Sequence, residues 1–242
     1  EFDGKGYKGT FGWDFTPWSP ELKITANRNH FTKGMWPGFS NALLVTGDQA
    51  YVDILRSQLD NLYAEKRIEN GKVVIPQNYG DDGWYNWTSN LYVPRLIEIY
   101  MWSMDRKDLD RIPKNGWIGF LEGKNPEYPV QALQKEFSYI RNRMEALYND
   151  DTTPDTRLAD WALKNTTPAA THELVRLMLG GYMTGRIWVL HSRVRYFDPV
   201  NRRAGIPEDV ASLVTEMTRE MTKVTLVNTN QVEAHEVIVQ TG

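Results

Sequence analysis

The chain has no cysteine among its 242 residues. This excludes disulfides, thiolate metal sites and a cysteine nucleophile. It leaves the compartment open, because an oxidising space permits disulfides without requiring them. No apolar run approaches the roughly 20 residues needed to span a bilayer. There is no basic tract either. Lys and Arg number 28 against 31 Asp and Glu, for a net charge of −3, which argues against nucleic acid as the main partner. Only four histidines are present, and no His-x-x-x-His spacing offers a zinc site. His172 and His191 stand too far apart on one predicted helix to share a metal. Gly-rich phosphate loops and Gly-x-Ser-x-Gly are absent, so neither metal nor cofactor is expected.

What is present is an ordinary balance of 41% apolar and 24% charged residues, enough for one large domain or a domain with an appendage. The chain begins Glu1-Phe2 and ends at Gly242 just after an apparent strand, as expected of a processed protein or a fragment.

Five of the nine tryptophans lie between Trp13 and Trp87. They are interleaved with carboxylates, amides and glycines: Trp13-Asp14-Phe15, Trp18, Asn29-His30, Gly34-Met35-Trp36-Pro37-Gly38 and Tyr79-Gly80-Asp81-Asp82-Gly83-Trp84-Tyr85-Asn86-Trp87. The apolar C–H face of a sugar ring stacks on indole, and its hydroxyls pair with Asp, Asn and His. Aromatics sharing loops with carboxylates suit a concave ligand site. Each tryptophan taken alone reads more readily as core, and it is the cluster that points to a site.

Apolar periodicity of 3.6 residues predicts helices through most of residues 39–219. The first thirty-odd residues, rich in Gly and Pro, read as extended chain. A short helix from Phe39 closes at Gly47. Asp48 is a plausible N-cap for a second helix carrying Val52, Leu55, Leu59 and Leu62. Val73–Pro76 reads as extended. A helix is expected from about Trp84 to Met104, with a kink at Pro94 or a start near Val93. Residues 113–126 read as a loop. Further helices are expected at 128–148, 155–164, 168–191 and 207–219, and strands near Val224–Leu226 and Val237–Val239. Thr46-Gly47-Asp48 has an echo 57 residues later at Ser103-Met104-Asp105. Two such helix–turn–helix joints suggest helices stacked in pairs.

The run Gly34-Met35-Trp36-Pro37-Gly38-Phe39-Ser40-Asn41-Ala42-Leu43-Leu44-Val45-Thr46-Gly47-Asp48-Gln49-Ala50-Tyr51-Val52-Asp53 resembles a hairpin of the (α/α)-toroid glycoside hydrolases and polysaccharide lyases. The resemblance is architectural and covers about residues 30–220. It implies a mainly α fold of antiparallel helical hairpins, here a partial toroid, a fragment or half of a larger assembly. A helical domain with an extended N-terminal segment would occupy 1–221, and a small β element 222–242. It further implies a carbohydrate substrate and a secreted or periplasmic protein that degrades polysaccharide.

The leading expectation for chemistry is glycoside hydrolysis by paired carboxylates. Asp14, Asp81 and Asp82 are the candidates, with Glu21 and Glu122 behind them. Adjacent side chains diverge, so only one of Asp81 and Asp82 is expected to face a cleft, the other capping the helix near Trp84. Asp14, among aromatics, would have a raised pKa suited to a general acid, or would be a turn residue. The alternative is β-elimination on a polyuronate, with Asn29 and His30 neutralising the carboxylate and His30 or Tyr79 taking the proton. Trp13, Trp18, Asn29, Trp36, Trp84, Asn86 and Trp87 would bind substrate. A third reading is a non-catalytic carbohydrate-binding or scaffold protein.

Overall fold

The computed structural model describes residues 9–10, 16–17, 38–80, 83–90, 92–153, 155–156, 167–183 and 191–241. With 40% helix and 24% strand, the fold is mixed α and β rather than a mainly α toroid. The expectation of a toroid fails because two segments read as helix are strands and a third helix is cut short.

The chain forms two compact units. One comprises residues 1–112 and 184–190, the other 113–183 and 191–242. In the first unit a small strand pair, β1 (Gly9–Thr10) and β2 (Thr16–Pro17), precedes two helices, α1 (Gly38–Thr46) and α2 (Ala50–Ala64). On α2, Val52, Leu55, Leu59 and Leu62 recur at helical spacing and are all buried, so the predicted stripe is the packing face. Three antiparallel strands follow: β3 (Arg67–Glu69), β4 (Lys72–Gly80) and β5 (Gly83–Thr88), in that order. Asn70 and Gly71, with φ of 50° and 73°, join β3 to β4. A two-residue Asn-Gly connection suits this hairpin because both positions need positive φ. Where a helix from Trp84 was expected, β5 stands instead. The helix α3 begins only at Val93 and runs to Ser103, the later of the two starts considered, with Pro94 in its first turn. A short helix, α4 (Arg106–Asp110), completes this unit's helices among the described residues.

The two helix–turn–helix joints are geometrically equivalent. Gly47 N–H donates to Leu43 O at 2.6 Å, and Met104 N–H to Tyr100 O at 2.7 Å. Both central residues are left-handed, at φ 71° and 49°. The Asp48 and Asp105 amides donate to Thr46 Oγ1 and Ser103 Oγ, each at 3.1 Å. Asp48 Oδ1 and Asp105 Oδ1 each accept the amide two residues on at 2.9 Å. The sequence echo is thus a repeated capping device: a hydroxyl, a left-handed residue and an aspartate turn the chain and satisfy the next helix. Ion pairs bind α2 to α4 and its end. Arg56 Nε and Nη2 donate to the buried Asp108 at 3.0 and 2.8 Å, and Ser103 Oγ donates to it at 2.6 Å. Arg111 reaches Asp60 at 2.8 Å.

The second unit opens with a five-residue helix, α5 (Trp117–Leu121), where a loop was expected. The long α6 (Tyr128–Tyr148) and a short α7 (His172–Leu179) follow. The helix predicted to run from 168 to 191 ends at Leu179. Gly180 is left-handed, and a Cβ on Gly181 would lie 2.5 Å from His191 O. These glycines serve the helix stop and the antiparallel bridge between Tyr182 and His191. Strand β6 (Val194–Asp198) pairs with β7 (Arg203–Ala204) and β10 (Ile238–Thr241). Strands β8 (Val210–Met217) and β9 (Thr222–Asn228) form a hairpin. β8 replaces the helix expected at 207–219. The segment 155–164, read as a helix, lies almost wholly outside the described residues. Among the described residues, no helix is long and apolar enough to cross a membrane.

Candidate functional site

The β4–β5 hairpin gathers the expected site residues that fall on described backbone. Tyr79 pairs with Trp84, Asn78 with Tyr85, and Pro76 with Trp87. Aromatic residues favour a half-buried pleated surface, and Trp84, Tyr85 and Trp87 are each half-buried while Asn86 is exposed. Asn86 has φ 55° within the strand, a conformation that asparagine tolerates better than most side chains. The Arg67 guanidinium from β3 lies over the Trp87 ring, 3.7 Å from its centroid, and also pairs with Glu69. This leaves a cation fixed on an aromatic face. The hairpin is anchored beneath: buried Tyr92 donates its hydroxyl to Pro76 O at 3.0 Å, and burial drives the Tyr92 phenol pKa well upward.

Asp81 and Asp82 lie outside the described residues, between Gly80 and Gly83, which pair with one another. Because the helix starts at Val93 rather than near Trp84, the expected capping role for one of them loses its helix. Trp13, Asp14, Trp18, Asn29, His30 and Trp36 also lie outside the described residues. The structure therefore places Tyr79, Trp84, Asn86 and Trp87 together on one hairpin. Glu122, a reserve carboxylate in the sequence reading, is ion-paired to Lys114 at 2.9 Å in the second unit.

A second cluster, which the sequence reading passed over, lies in the second unit. Tyr128 at the start of α6 donates to Glu173 Oε2 at 2.6 Å. Arg176 donates to Tyr128 Oη at 3.3 Å and also pairs with Glu173. Burial, then the hydrogen bond to Glu173, pushes the Tyr128 phenol pKa up. Burial opposes the charge on Arg176, but Tyr128 and Glu173 outweigh it and keep its pKa raised. Arg176 also stands 5.3 Å from the centroid of the Tyr182 ring, which stacks on Trp117 at 6.2 Å. Glu136 Oε1 accepts the Glu173 amide at 3.0 Å, satisfying one free donor of the α7 first turn. Beside this network is a cavity of about 300 Å³ lined by Lys135, Glu136, Tyr139, His172 and Glu173 among others. It is at the lower end of ligand-pocket size. The only signal for it in the sequence is the concentration of charged and aromatic residues on one α6 face. Among the described residues, no group of His, Asp and Glu could hold a metal ion.

Comparison with curated proteins and with solved structures gave no significant match. A family model described as a domain of unknown function (DUF8034) matches residues 113–175, which include α5, α6 and the start of α7.

Proposed function

We propose that the protein acts on a poly- or oligosaccharide as a glycoside hydrolase, with substrate held against the β4–β5 hairpin. One observation carries this reading. A single six-residue strand carries Trp84 and Asn86 on one face and Tyr85 and Trp87 on the other, one residue after Asp81-Asp82 in the chain. Indole faces stack on the C–H face of a sugar, and the Asn86 amide can both donate to and accept from its hydroxyls. Hydrolysis requires one carboxyl to protonate the leaving oxygen and a second carboxylate to act as base or nucleophile. Asp81 or Asp82, with Asp14, supplies those groups in this proposal. A carbohydrate substrate of this size is consistent with a secreted or periplasmic protein.

A second reading, β-elimination on a polyuronate, is supported by Arg67. A guanidinium fixed over Trp87 suits a uronate carboxylate held beside a stacked ring, with His30 or Tyr79 taking the proton in this reading. The two readings separate on substitution. Asp81→Asn or Asp82→Asn should abolish turnover of a neutral polysaccharide while binding in affinity electrophoresis survives. If both variants keep full activity and Tyr79→Phe removes it, elimination replaces hydrolysis. If wild-type protein binds but turns over nothing, the hairpin is a non-catalytic sugar platform.

A further inference from the structure

The cavity between α6 and the start of α7 combines an apolar floor with polar groups of both signs. Ala132, Lys135, Glu136 and Tyr139 line it from one face of α6, at positions i, i+3, i+4 and i+7. Ala169 and Ala170 line it from the chain leading into α7, with His172 and Glu173 from the first turn. All of these residues fall within 113–175, the segment that the domain model matches. The three alanine methyls and the Tyr139 ring supply the apolar surface, and small side chains keep the space open. The polar groups differ in what already engages them. Both Glu173 oxygens are taken, Oε2 by Tyr128 and Oε1 by Arg176. Glu136 gives Oε1 to the Glu173 amide, which leaves Oε2. Arg143 stands over the Tyr139 ring, 5.0 Å from its centroid. The Lys135 ammonium, the His172 ring and the Tyr139 hydroxyl have no hydrogen-bond partner among the described residues.

We propose that this cavity is a second carbohydrate site, separate from the β4–β5 hairpin, which takes one neutral sugar ring. Three properties of the lining select that class. Its volume of about 300 Å³ suits a single small ring rather than a stretch of polymer. Its charges balance, since Lys135 opposes Glu136 and Arg176 opposes Glu173, so neither an anion nor a cation is favoured overall. Its uncommitted groups both give and accept protons: Lys135 donates, Glu136 Oε2 accepts, and the His172 ring and Tyr139 hydroxyl do both. Sugar hydroxyls also do both, and the ring's C–H face fits the methyl floor. A purely apolar ligand would strip water from Glu136 and Lys135 and return no hydrogen bonds. A zwitterionic amino acid would use the same two charges. Lys135 is exposed, however, and a solvent-screened ammonium contributes little to holding a carboxylate. A neutral ring gives up no charge hydration on entering.

Saturation-transfer NMR titrations on the full chain test this. The probes are the methyl glycosides of glucose, galactose and mannose, with methyl glucuronide and L-alanine as the charged comparisons. At least one neutral glycoside should bind with a Kd of roughly millimolar order. The titration is repeated in Trp84→Ala, where the cavity signal should persist, so that binding at the hairpin is separated from binding here. Ala169→Phe, at an exposed position, fills the cavity and should remove the signal. Glu136→Gln keeps an oxygen for the Glu173 amide and loses the free carboxylate oxygen, so it should weaken binding about 10-fold. The two variants disturb the cavity by different means, so either decides the matter if the other fails to fold. Asp81→Asn should bind the glycoside as wild type does. Polysaccharide turnover in that variant tests the hairpin reading, so the two readings fail in different measurements. No neutral glycoside binding, binding lost in Trp84→Ala but indifferent to Ala169→Phe and Glu136→Gln, or tighter binding of glucuronide or alanine overturns the proposal.

Discussion

Acidification from pH 7 to pH 5 should destabilise the second unit through one imidazole. The His191 backbone pairs with Tyr182 in an antiparallel bridge, accepting at 2.9 Å and donating at 3.3 Å, beside the Trp117–Tyr182 stack. Burial pushes its side chain down from 6.5 to about 4. The unfolded chain therefore binds more protons than the folded chain between those two values, and stability falls as pH falls through that window. The neutral imidazole's contribution is complete above about 6.5 and exhausted below about 4. At pH 5 the ratio of the two binding polynomials is roughly 30, or about 2 kcal/mol, a ceiling because the residue is only half-buried. For a chain of this length that is roughly 4–8 °C in Tm. Other carboxylates also begin to titrate near pH 5, so the comparison is with His191→Gln, which keeps the backbone bridge and removes the titrating group. Thermal melts by circular dichroism from pH 7.5 to 4.5 should show wild type losing more than the variant between pH 7 and pH 5, by up to about 2 kcal/mol. Superimposable pH profiles would refute the reasoning, and would mean that the imidazole is solvated in the folded protein.

Three further perturbations probe the fold and the hairpin. Burial would raise the Asp108 carboxyl pKa, but hydrogen bonds from Arg56 and Ser103 and the Arg56 charge hold it below the ordinary carboxylate range. Asp108→Asn should therefore cost about 2–3 kcal/mol in urea unfolding, with part recovered in Arg56→Met/Asp108→Leu; a cost under about 1 kcal/mol would mean that the pair is replaceable by solvent. A Cβ on Gly119 would sit 1.8 Å from Lys114 O, so Gly119→Ala should lose more than about 2 kcal/mol by the same measurement, and a neutral result would show that the backbone there relaxes freely. Arg67→Ala removes the guanidinium over Trp87 and should cost under about 1 kcal/mol of stability. It should leave hydrolysis of a neutral glycan intact but abolish elimination on a uronate, so assaying both products on this variant separates the two proposed chemistries.

The helices of the first unit were legible because burial follows their sequence period. Val52, Leu55, Leu59 and Leu62 repeat on one face, and the Thr46-Gly47-Asp48 turn and its echo at Ser103-Met104-Asp105 carry capping chemistry readable from residue types. The strand β8 was not legible for a specific reason. Val210, Leu213, Val214 and Met217 match helical spacing, and Pro207-Glu208 resembles a helix start. In the structure a register shift between Val214 and Glu216 resets the strand's alternation. Val214 and Met217, three apart, are both buried as a result. Strand β5 was masked differently. The periodic run from Leu91 to Met101 has no clear start signal to separate it from Trp84-Tyr85-Asn86-Trp87, although aromatic density and the upstream Asn70-Gly71 hairpin signal both favour strand there. The toroid resemblance rested on the joint motif, which specifies a helix–turn–helix connection and nothing about how many helices follow or how they close. For the site, the aromatic grouping at 84–87 was visible in sequence. The Arg67–Trp87 contact was not, because it depends on the β3–β4–β5 pairing rather than on proximity in the chain.

The central claim is that this protein hydrolyses a glycan, and the most direct measurement is product analysis on a polysaccharide panel with purified protein. Reducing ends and the ultraviolet absorbance of unsaturated uronates are followed in the same reactions, for wild type, Asp81→Asn and Asp82→Asn. The account predicts reducing ends from at least one neutral polysaccharide with no rise in absorbance, and loss of that signal in at least one of the two variants. Absorbance rising with reducing ends on a uronate polymer, undiminished in both variants, would contradict it, as would the absence of any product across the panel.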